Sequence, residues 1–367
     1  MQARVVMLAD FDYFFAQCEE LRNPALKGKP VVVGVYSGRT EDSGAVSTAN
    51  YVAREYGVKS GIPLYLAKKR LEGTEAVFLP VDDEFYERIS NKIMEALRGY
   101  ADSFEQTSID EAYLDVTSKV QGSFEAARDL AGTMKREVKN AVGIAFSVGV
   151  GPNKLVAKIA ADSQKPDGLT VVKPEDVDRF LSPLPVNRLL GVGQKTSTKL
   201  EDLGVKTIGK LAEHDVQQLV EVFGKKLGVY FHNAAKGVDN EPVQETGEAE
   251  SISRIATLKE NTRDLMVVLE KTDQLIEDIH KDTVKRNIGF RQVSIIAIMM
   301  DLSVRSRSKT LETATRDTDV LKPIVRELFE KFLRETELEI RRVGVKIAGF
   351  AKEETEQKQL TSFFPGN

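Results

Sequence analysis

One cysteine, Cys18, stands in the whole chain. No intramolecular disulfide can form, and no cysteine cluster can hold a structural zinc ion. The three histidines, His214, His232 and His280, all fall in the second half, which argues against a histidine-based metal centre. No apolar run is long enough to span a bilayer. The opening stretch MQARVVMLADFDYF is broken by Asp10 and Asp12, unlike a signal peptide. Neither sign of charge dominates: 52 Lys+Arg face 56 Asp+Glu, a formal net charge of −4. That excludes a uniformly basic coat for nucleic acid but leaves room for a local basic face. What is present is ordinary for a folded chain, with 41% hydrophobic and 29% charged residues over 367 positions. The length suits two or three domains, and the composition reads as a soluble, intracellular, multidomain protein.

RVVMLA (4–9) reads as a short buried strand running into Asp10. KPVVVGVY (29–36) reads as a second, leading into the Gly/Ser turn region SGRTEDSGAV. NYVAREY (50–56) reads as helix, and Phe85, Ile89, Ile93, Met94 and Leu97 predict another over 83–100. FEQTSIDEAYLDV (104–116) reads as a hairpin, 123–141 as a helix and FSVGVG (146–151) as a strand. Strands and helices mix without strict alternation, so the fold class is α+β and multidomain. From 172 to 236 short helices are punctuated by glycine, and NEPVQETGEAE (240–250) reads as an interdomain linker. Beyond it come a strand (251–258), a helix near 262–283, two strands near 291–311, a helix at 318–335 and the strand ELEIRRVGVKIAGF. That order, β-α-β-β-α-β, is the split βαβ module. The last residues, AKEETEQKQLTSFFPGN, carry no core of their own.

Chemistry concentrates in a few places. Asp10-Phe11-Asp12 ends a buried strand, and Ser108-Ile109-Asp110-Glu111 lies inside the expected hairpin. Adjacent carboxylates on a strand point to opposite faces. If the two strands are neighbours, however, Asp10, Asp110 and Glu111 can converge, and the repulsion among them calls for a divalent cation. Oxygen donors without histidine or cysteine suit Mg²⁺ or Mn²⁺, cations that act on phosphates. The Asp-x-Asp also mimics the nucleophile motif of a haloacid-dehalogenase-type phosphatase, which would need a doubly wound sheet. Tyr51 and Arg54, three apart on a helix, share a face and suit a triphosphate; Lys165 is a further phosphate candidate. Leu189-Leu190-Gly191-Val192-Gly193 between two short helices has the helix-hairpin-helix form, whose amides face a DNA phosphate without reading bases. Arg305, Arg307 and Lys309 alternate along a strand, so they share one face. With Arg254, Arg341 and Lys346 on neighbouring strands they suggest a cationic sheet surface that tracks a nucleic-acid backbone. Glu277, Asp278, Glu327 and Glu330 supply compensating acids on the helices.

Together these residues resemble the Y-family (translesion) DNA polymerases, in the DinB or DNA polymerase IV branch of the archaeal type. The resemblance covers about residues 4–350. It rests on ADFDYFFAQCEE, LKGKPVVVGVYSG, STANYVAREYGVKSGIP, SIDEAYLDV, SVGVGPNKLVAKIAADSQKPDG and RRVGVKIAGF, in the family's order and spacing. It implies a right-hand polymerase: a mixed-sheet palm (1–13 and 78–171), small fingers (14–77), a helix-hairpin-helix thumb (172–236), a linker (237–250), a β-α-β-β-α-β little finger (251–350) and a tail (351–367). Asp10, Asp110 and Glu111, with the Phe11 carbonyl, match the family's ligands for two Mg²⁺ ions, for which Mn²⁺ can substitute. Tyr51, Arg54 and Lys165 match its triphosphate contacts, helped by amides near Phe14 and Phe15. Phe15 matches the sugar-discriminating position, and Ala45, Ser47 and Gly61 lie over the nascent base pair. The resemblance implies a low-fidelity, cytoplasmic, monomeric enzyme that copies primer-template DNA with dNTPs and bypasses damaged bases. Two departures are visible: an acidic linker with Glu245, Glu248 and Glu250 where some relatives are basic, and Ser253 where some have glycine. Gln357, Leu360, Phe363 and Phe364, in the form Q-x-x-L-x-x-F-F, resemble the box by which archaeal and eukaryotic proteins bind the ring-shaped sliding clamp.

Overall fold

The structure, a computed structural model, describes residues 3–351 apart from 246 and 248. The described residues fall into two compact units, one made of 3–35 and 45–245, the other of 36–44 and 247–351.

In the first unit β1 (Val6–Phe11) leads into α1 (Phe14–Arg22), followed by β2 (Val31–Tyr36), β3 (Gly44–Ala49), α2 (Tyr51–Glu55), α3 (Leu64–Arg70) and β4 (Val77–Pro80). Then come α4 (Asp83–Arg98), β5 (Ser103–Gln106), β6 (Glu111–Asp115), α5 (Phe124–Val142), β7 (Phe146–Gly151), α6 (Lys154–Ser163) and β8 (Leu169–Val171). The helices α7 (Val177–Leu181), α8 (Gln194–Asp202), α9 (Ile208–Glu213) and α10 (Val216–Ala235) complete it. The expected helix over 83–100 is α4. Asp82 caps it by accepting the Phe85 amide at 3.1 Å, and Asp83 and Glu84 sit in its positive first turn.

A five-stranded sheet runs β5-β6-β1-β7-β8, with β1 antiparallel to both neighbours. This is not the doubly wound sheet that the phosphatase alternative requires. Every residue of β1 is buried, and its alternation sorts two faces. Met7, Ala9 and Phe11 join the core with Tyr86, Ile93, Leu97 and Met134. Val6 and Leu8 face the other way, against Tyr113, Ala157, Ala161 and Val243. Asp10 has the parity of Val6 and Leu8, so it opens on the face that α6 covers. α6 lies unusually close to β7: a Cβ on Gly149 would stand 2.0 Å from the Ala157 carbonyl oxygen. Only glycine allows that approach.

A second sheet, β3-β2-β4, differs from the sequence expectation. The stretch 37–46 reads as a turn, yet Gly44 already begins β3. Val46 is the reason: it packs with Val32, Ala53 and Leu64 in a small separate core. The stretch read as linker also begins differently. Val243 is 5% exposed, Leu155 N donates to Asp239 at 3.1 Å, Asn153 donates to the Gly237 carbonyl at 2.7 Å, and Arg98 pairs with Glu245. Residues 237–245 are thus strapped to the first unit by one apolar plug and several polar ties.

The second unit follows the expected order: β9 (Ser251–Thr262), α11 (Leu265–Arg286), β10 (Gly289–Met299), β11 (Val304–Thr315), α12 (Leu321–Arg334) and β12 (Ile340–Ala351). Its sheet runs β11-β10-β12-β9, so the last strand splits the first βαβ. Val293, Ile295, Val343 and Val345 pack on Ile276, Ile279, Val325 and Phe329 of the helices, which cover one face.

Candidate active site

The pairing of β1 with β6 sets Asp10 opposite Glu111. The Phe11 amide donates to the Asp110 carbonyl at 2.8 Å. The strands are therefore neighbours, as convergence requires. Alternation puts Asp10 and Glu111 on the α6 face, and α6 answers with Lys158, while Lys154 one turn earlier pairs with Glu105. Lys158 donates to Asp10 Oδ2 at 2.8 Å and also to Glu111. Lys165, past the helix end, sits 2.6 Å from Asp10 Oδ1. Asp110 lies just before β6, and its carboxylate accepts the Ser108 hydroxyl at 2.6 Å. The structure thus brings two of the three carboxylates onto one partner and leaves the third adjacent. Among the described residues no three acidic, histidine or cysteine side chains are grouped to hold an ion. The donor chemistry nonetheless fits a hard divalent cation. Carboxylate oxygens crowd together, and the positive charge they have recruited is an ammonium in their midst.

Burial would raise the Asp10 carboxyl, but Lys158 and Lys165 outweigh it and hold it below its ordinary value of 3.8. Burial would likewise lower Lys158, but Asp10 and Glu111 raise it instead. A carboxyl depressed in the fold stabilises above its ordinary value and loses that contribution as pH falls through the lowered one. Removing Lys158 leaves burial less opposed. Lys158→Met is therefore expected to be less stable than the parent at neutral pH and to lose less stability as pH falls through the carboxyl range, read by urea unfolding at each pH without metal. An unchanged pH dependence would mean that this pair does not stabilise the fold.

Tyr13 caps α1 in the left-handed region, at φ 39°, with no side chain on the helix start. That leaves the first amides of α1, including those of Phe14 and Phe15, outside the helical ladder and able to meet an anion. Asn50 caps α2 through the Ala53 amide at 3.0 Å. Arg54 lies 4.7 Å over the Tyr51 ring, and Tyr51 meets Tyr13 edge-on at 5.4 Å. Burial raises the Tyr51 hydroxyl, with Asp12 and Asp10 adding to it and Arg54 and Lys165 opposing, so these groups share one neighbourhood. Phe15 stacks on Tyr86 at 4.4 Å, whereas Phe14 is 2% exposed in the core. Ala45 and Ser47 alternate onto the side of β3 opposite Val46, and the Gly61 amide donates to the Val46 carbonyl at 2.8 Å, so the three are neighbours. Sequence reasoning missed Lys158. Its signal was the spacing from Lys154, on the helix face that Ala157 and Ala161 bury.

Known proteins match this arrangement. Residues 9–162 match the impB/mucB/samB family, 249–362 its C-terminal domain, and 187–239 a DNA polymerase-iota thumb domain. DNA polymerase IV of Nitrosopumilus maritimus is 43% identical, over 99% of this chain and 100% of its own length. That of Methanosarcina acetivorans is 44% identical with the same coverage. The chain belongs to the Y family of translesion DNA polymerases, in the DNA polymerase IV branch. As a Y-family member it is a DNA-directed DNA polymerase, and polymerases of the family use divalent metal ions. Two solved Y-family structures share its fold, each covering 94% of this chain and 98% of the other. A Dbh–Dpo4–Dbh polymerase chimera matches at TM-score 0.88 and 39% identity. An insertion ternary complex of Dbh DNA polymerase matches at 0.68 and 38%.

In this Y-family chain Gly191 has φ 80°, and a Cβ there would stand 3.4 Å from the Tyr230 ring. Tyr230 donates to the Leu190 carbonyl at 3.0 Å, and Gly193 starts α8 without a capping side chain. A single 3₁₀ turn, Val186–Arg188, precedes the hairpin in place of the expected first short helix.

In the second unit the basic residues divide between faces. Arg305, Arg307 and Lys309 share one face as their alternation requires, but they pair across from Ala297, Ile295 and Val293, core residues of the helix-covered side. Arg307 donates to Glu335 at 2.6 Å, Lys309 to Glu327 at 2.6 Å, and Arg254 pairs with Asp282. Lys346 has the opposite parity and shares the uncovered face with Ser253, Ser294, Ser308 and Arg342. Arg341 sits at the irregularity between Ile340 and Arg342. The expected single cationic face is therefore two. Alternation along one strand fixes a common side but not which side the helices take. Gln357, Leu360, Phe363 and Phe364 lie outside the described residues.

No helix among the described residues is long and apolar enough to cross a membrane.

Proposed function

We propose that this polymerase extends a primer 3′-OH with dNTPs, opposite damaged as well as intact template bases and with low fidelity. The observation that carries this is the Asp10–Glu111 pairing across β1 and β6, ringed by Lys165, Tyr51 and Arg54. Two Mg²⁺ ions, held by Asp10, Asp110, Glu111 and the Phe11 carbonyl, would activate the 3′-OH and neutralise the triphosphate. Tyr51, Arg54 and Lys165, with the first amides of α1, bind the phosphates and offset charge on the departing pyrophosphate. Phe15 rejects a 2′-hydroxyl. Ala45, Ser47 and Gly61 are small, so they reject few template lesions. Palm, fingers, thumb and little finger follow the sequence boundaries given above, while the first part of the 237–250 linker, residues 237–245, is tied to the first unit. Gly191 and Gly193 let the thumb meet a phosphate, and the terminal Q-x-x-L-x-x-F-F box tethers the monomeric enzyme to a sliding clamp. Primer extension with Mg²⁺, on intact and lesion-bearing templates, tests the reading; no extension on either would end it.

Backbone tracking falls chiefly to the uncovered little-finger face, where Lys346 stands between Ser294 and Ser253 and Arg342 between Ile298 and Thr257. Arg305, Arg307, Lys309 and Arg254 stand on the opposite, helix-covered side, and Arg341 at the strand irregularity. Lys346→Ala is expected to lower the slope of log affinity against log salt by about 1, read by fluorescence anisotropy. Lys309→Ala should lower it by less, because Glu327 already meets that charge. The reverse order would place DNA on the helix side.

A further inference from the structure

We propose that Asp12 is a positioning residue that fixes the turn delivering Lys165; this rests on the triphosphate role proposed above for Lys165. Asp12 follows β1 and is 1% exposed. Its carboxylate accepts the Ser147 hydroxyl at 2.9 and 3.0 Å and the Asp167 amide at 2.7 Å. Ser147 in turn accepts the Gly168 amide at 3.2 Å. Two successive amides of the turn after Lys165 thus end on one buried carboxylate–hydroxyl pair. The anchor is itself rigid. Ser147 lies within β7, and the Asp12 carbonyl accepts from Gln17, whose side-chain oxygen accepts the Ala145 amide at 2.6 Å.

The turn needs such an anchor. Asp167 holds φ 54°, a left-handed conformation that aspartate adopts more readily than most residues but that still costs the turn energy. Lys135 grips it from the other side, donating to Asp167 Oδ1 at 2.7 Å and the Gly168 carbonyl at 3.1 Å. Lys139 reaches Asp167 Oδ2 at 3.0 Å. Held at both ends, the turn presents Lys165 to the site. Both Asp12 oxygens are engaged within the protein, so the two aspartates of Asp-Phe-Asp divide the work: Asp10 faces the reaction and Asp12 faces the turn. Loss of Asp12 would leave the Asp167 amide without its acceptor and free the turn to relax.

The test is a mutant cycle on single-nucleotide insertion, with primer-template affinity and thermal unfolding measured for each variant. Lys165→Ala and Asp12→Ala are each expected to raise KM for the nucleotide about tenfold, with DNA affinity unchanged. The double variant should be no worse than either single one, because Asp12 acts through Lys165. Asp12→Asn keeps an acceptor for the Asp167 amide and should stay within about threefold of the parent. Additive effects, or a fall in kcat with KM unchanged in Asp12→Ala, would overturn the inference. Were Lys165→Ala itself without effect on KM, the triphosphate role would be the part that fails. Should Asp12→Ala not fold, Ser147→Ala tests the same anchor, and its KM must rise in the same non-additive way with Lys165→Ala.

Discussion

Primer extension by Asp110→Ala or Glu111→Ala is expected to fall by about a thousandfold or more while the circular dichroism spectrum stays that of the parent. The two carboxylates reach this outcome differently. Glu111 shares Lys158 with Asp10, so its loss leaves an ion pair intact at Asp10. Among the described residues the Asp110 carboxylate takes a single hydrogen bond, from the Ser108 hydroxyl, so its removal strands no buried charge. Neither variant creates a cavity in the core, and folding should survive both. Near-normal extension by either protein, in Mg²⁺ and with folding confirmed, would remove that carboxylate from the reaction.

Ribonucleotide incorporation should rise steeply in Phe15→Ala and not in Phe14→Ala. The neighbours look alike in sequence, but they sit in different surroundings. Phe14 is 2% exposed and packs on Phe11 at 5.3 Å. Its truncation should cost about 3–5 kcal/mol of stability. Phe15 stacks at 4.4 Å and 15° on Tyr86, whose hydroxyl donates to Glu19 at 2.7 Å. The ring is thus backed by a second ring that is itself tied down, the rigidity a steric barrier to a 2′-hydroxyl requires. Competition between rNTP and dNTP, alongside thermal melts, checks both halves. Equal and low rNTP use by the two variants would refute the gate.

Much of this was legible because periodicity survives burial. The apolar residues of α4, the all-buried FSVGVG strand and the β-α-β-β-α-β order each follow from patterns that packing reinforces. The three carboxylates and Tyr51, Arg54 and Lys165 could be named from motif spacing. What stayed hidden depends on tertiary partners. Val46 looked like part of a turn because glycine and serine surround it. Val243 is a lone apolar residue in an acidic stretch, and no period exposes a single plug. Lys158 reads as an ordinary helical lysine until β1 and β6 bring two acids to it. Asp12 shows its use only once β7 and the Asp167 turn stand beside it.

The ammonium of Lys158 between Asp10 and Glu111 bears on how the enzyme survives outside the reaction. Many metal-dependent active sites become patches of bare negative charge when a chelator strips them, and the repulsion strains the surrounding strands. Here the protein carries its own counter-ion on a helix seated hard against the sheet at Gly149. Prolonged dialysis against EDTA should therefore leave the central strands intact, and activity should return on remetallation without any refolding step.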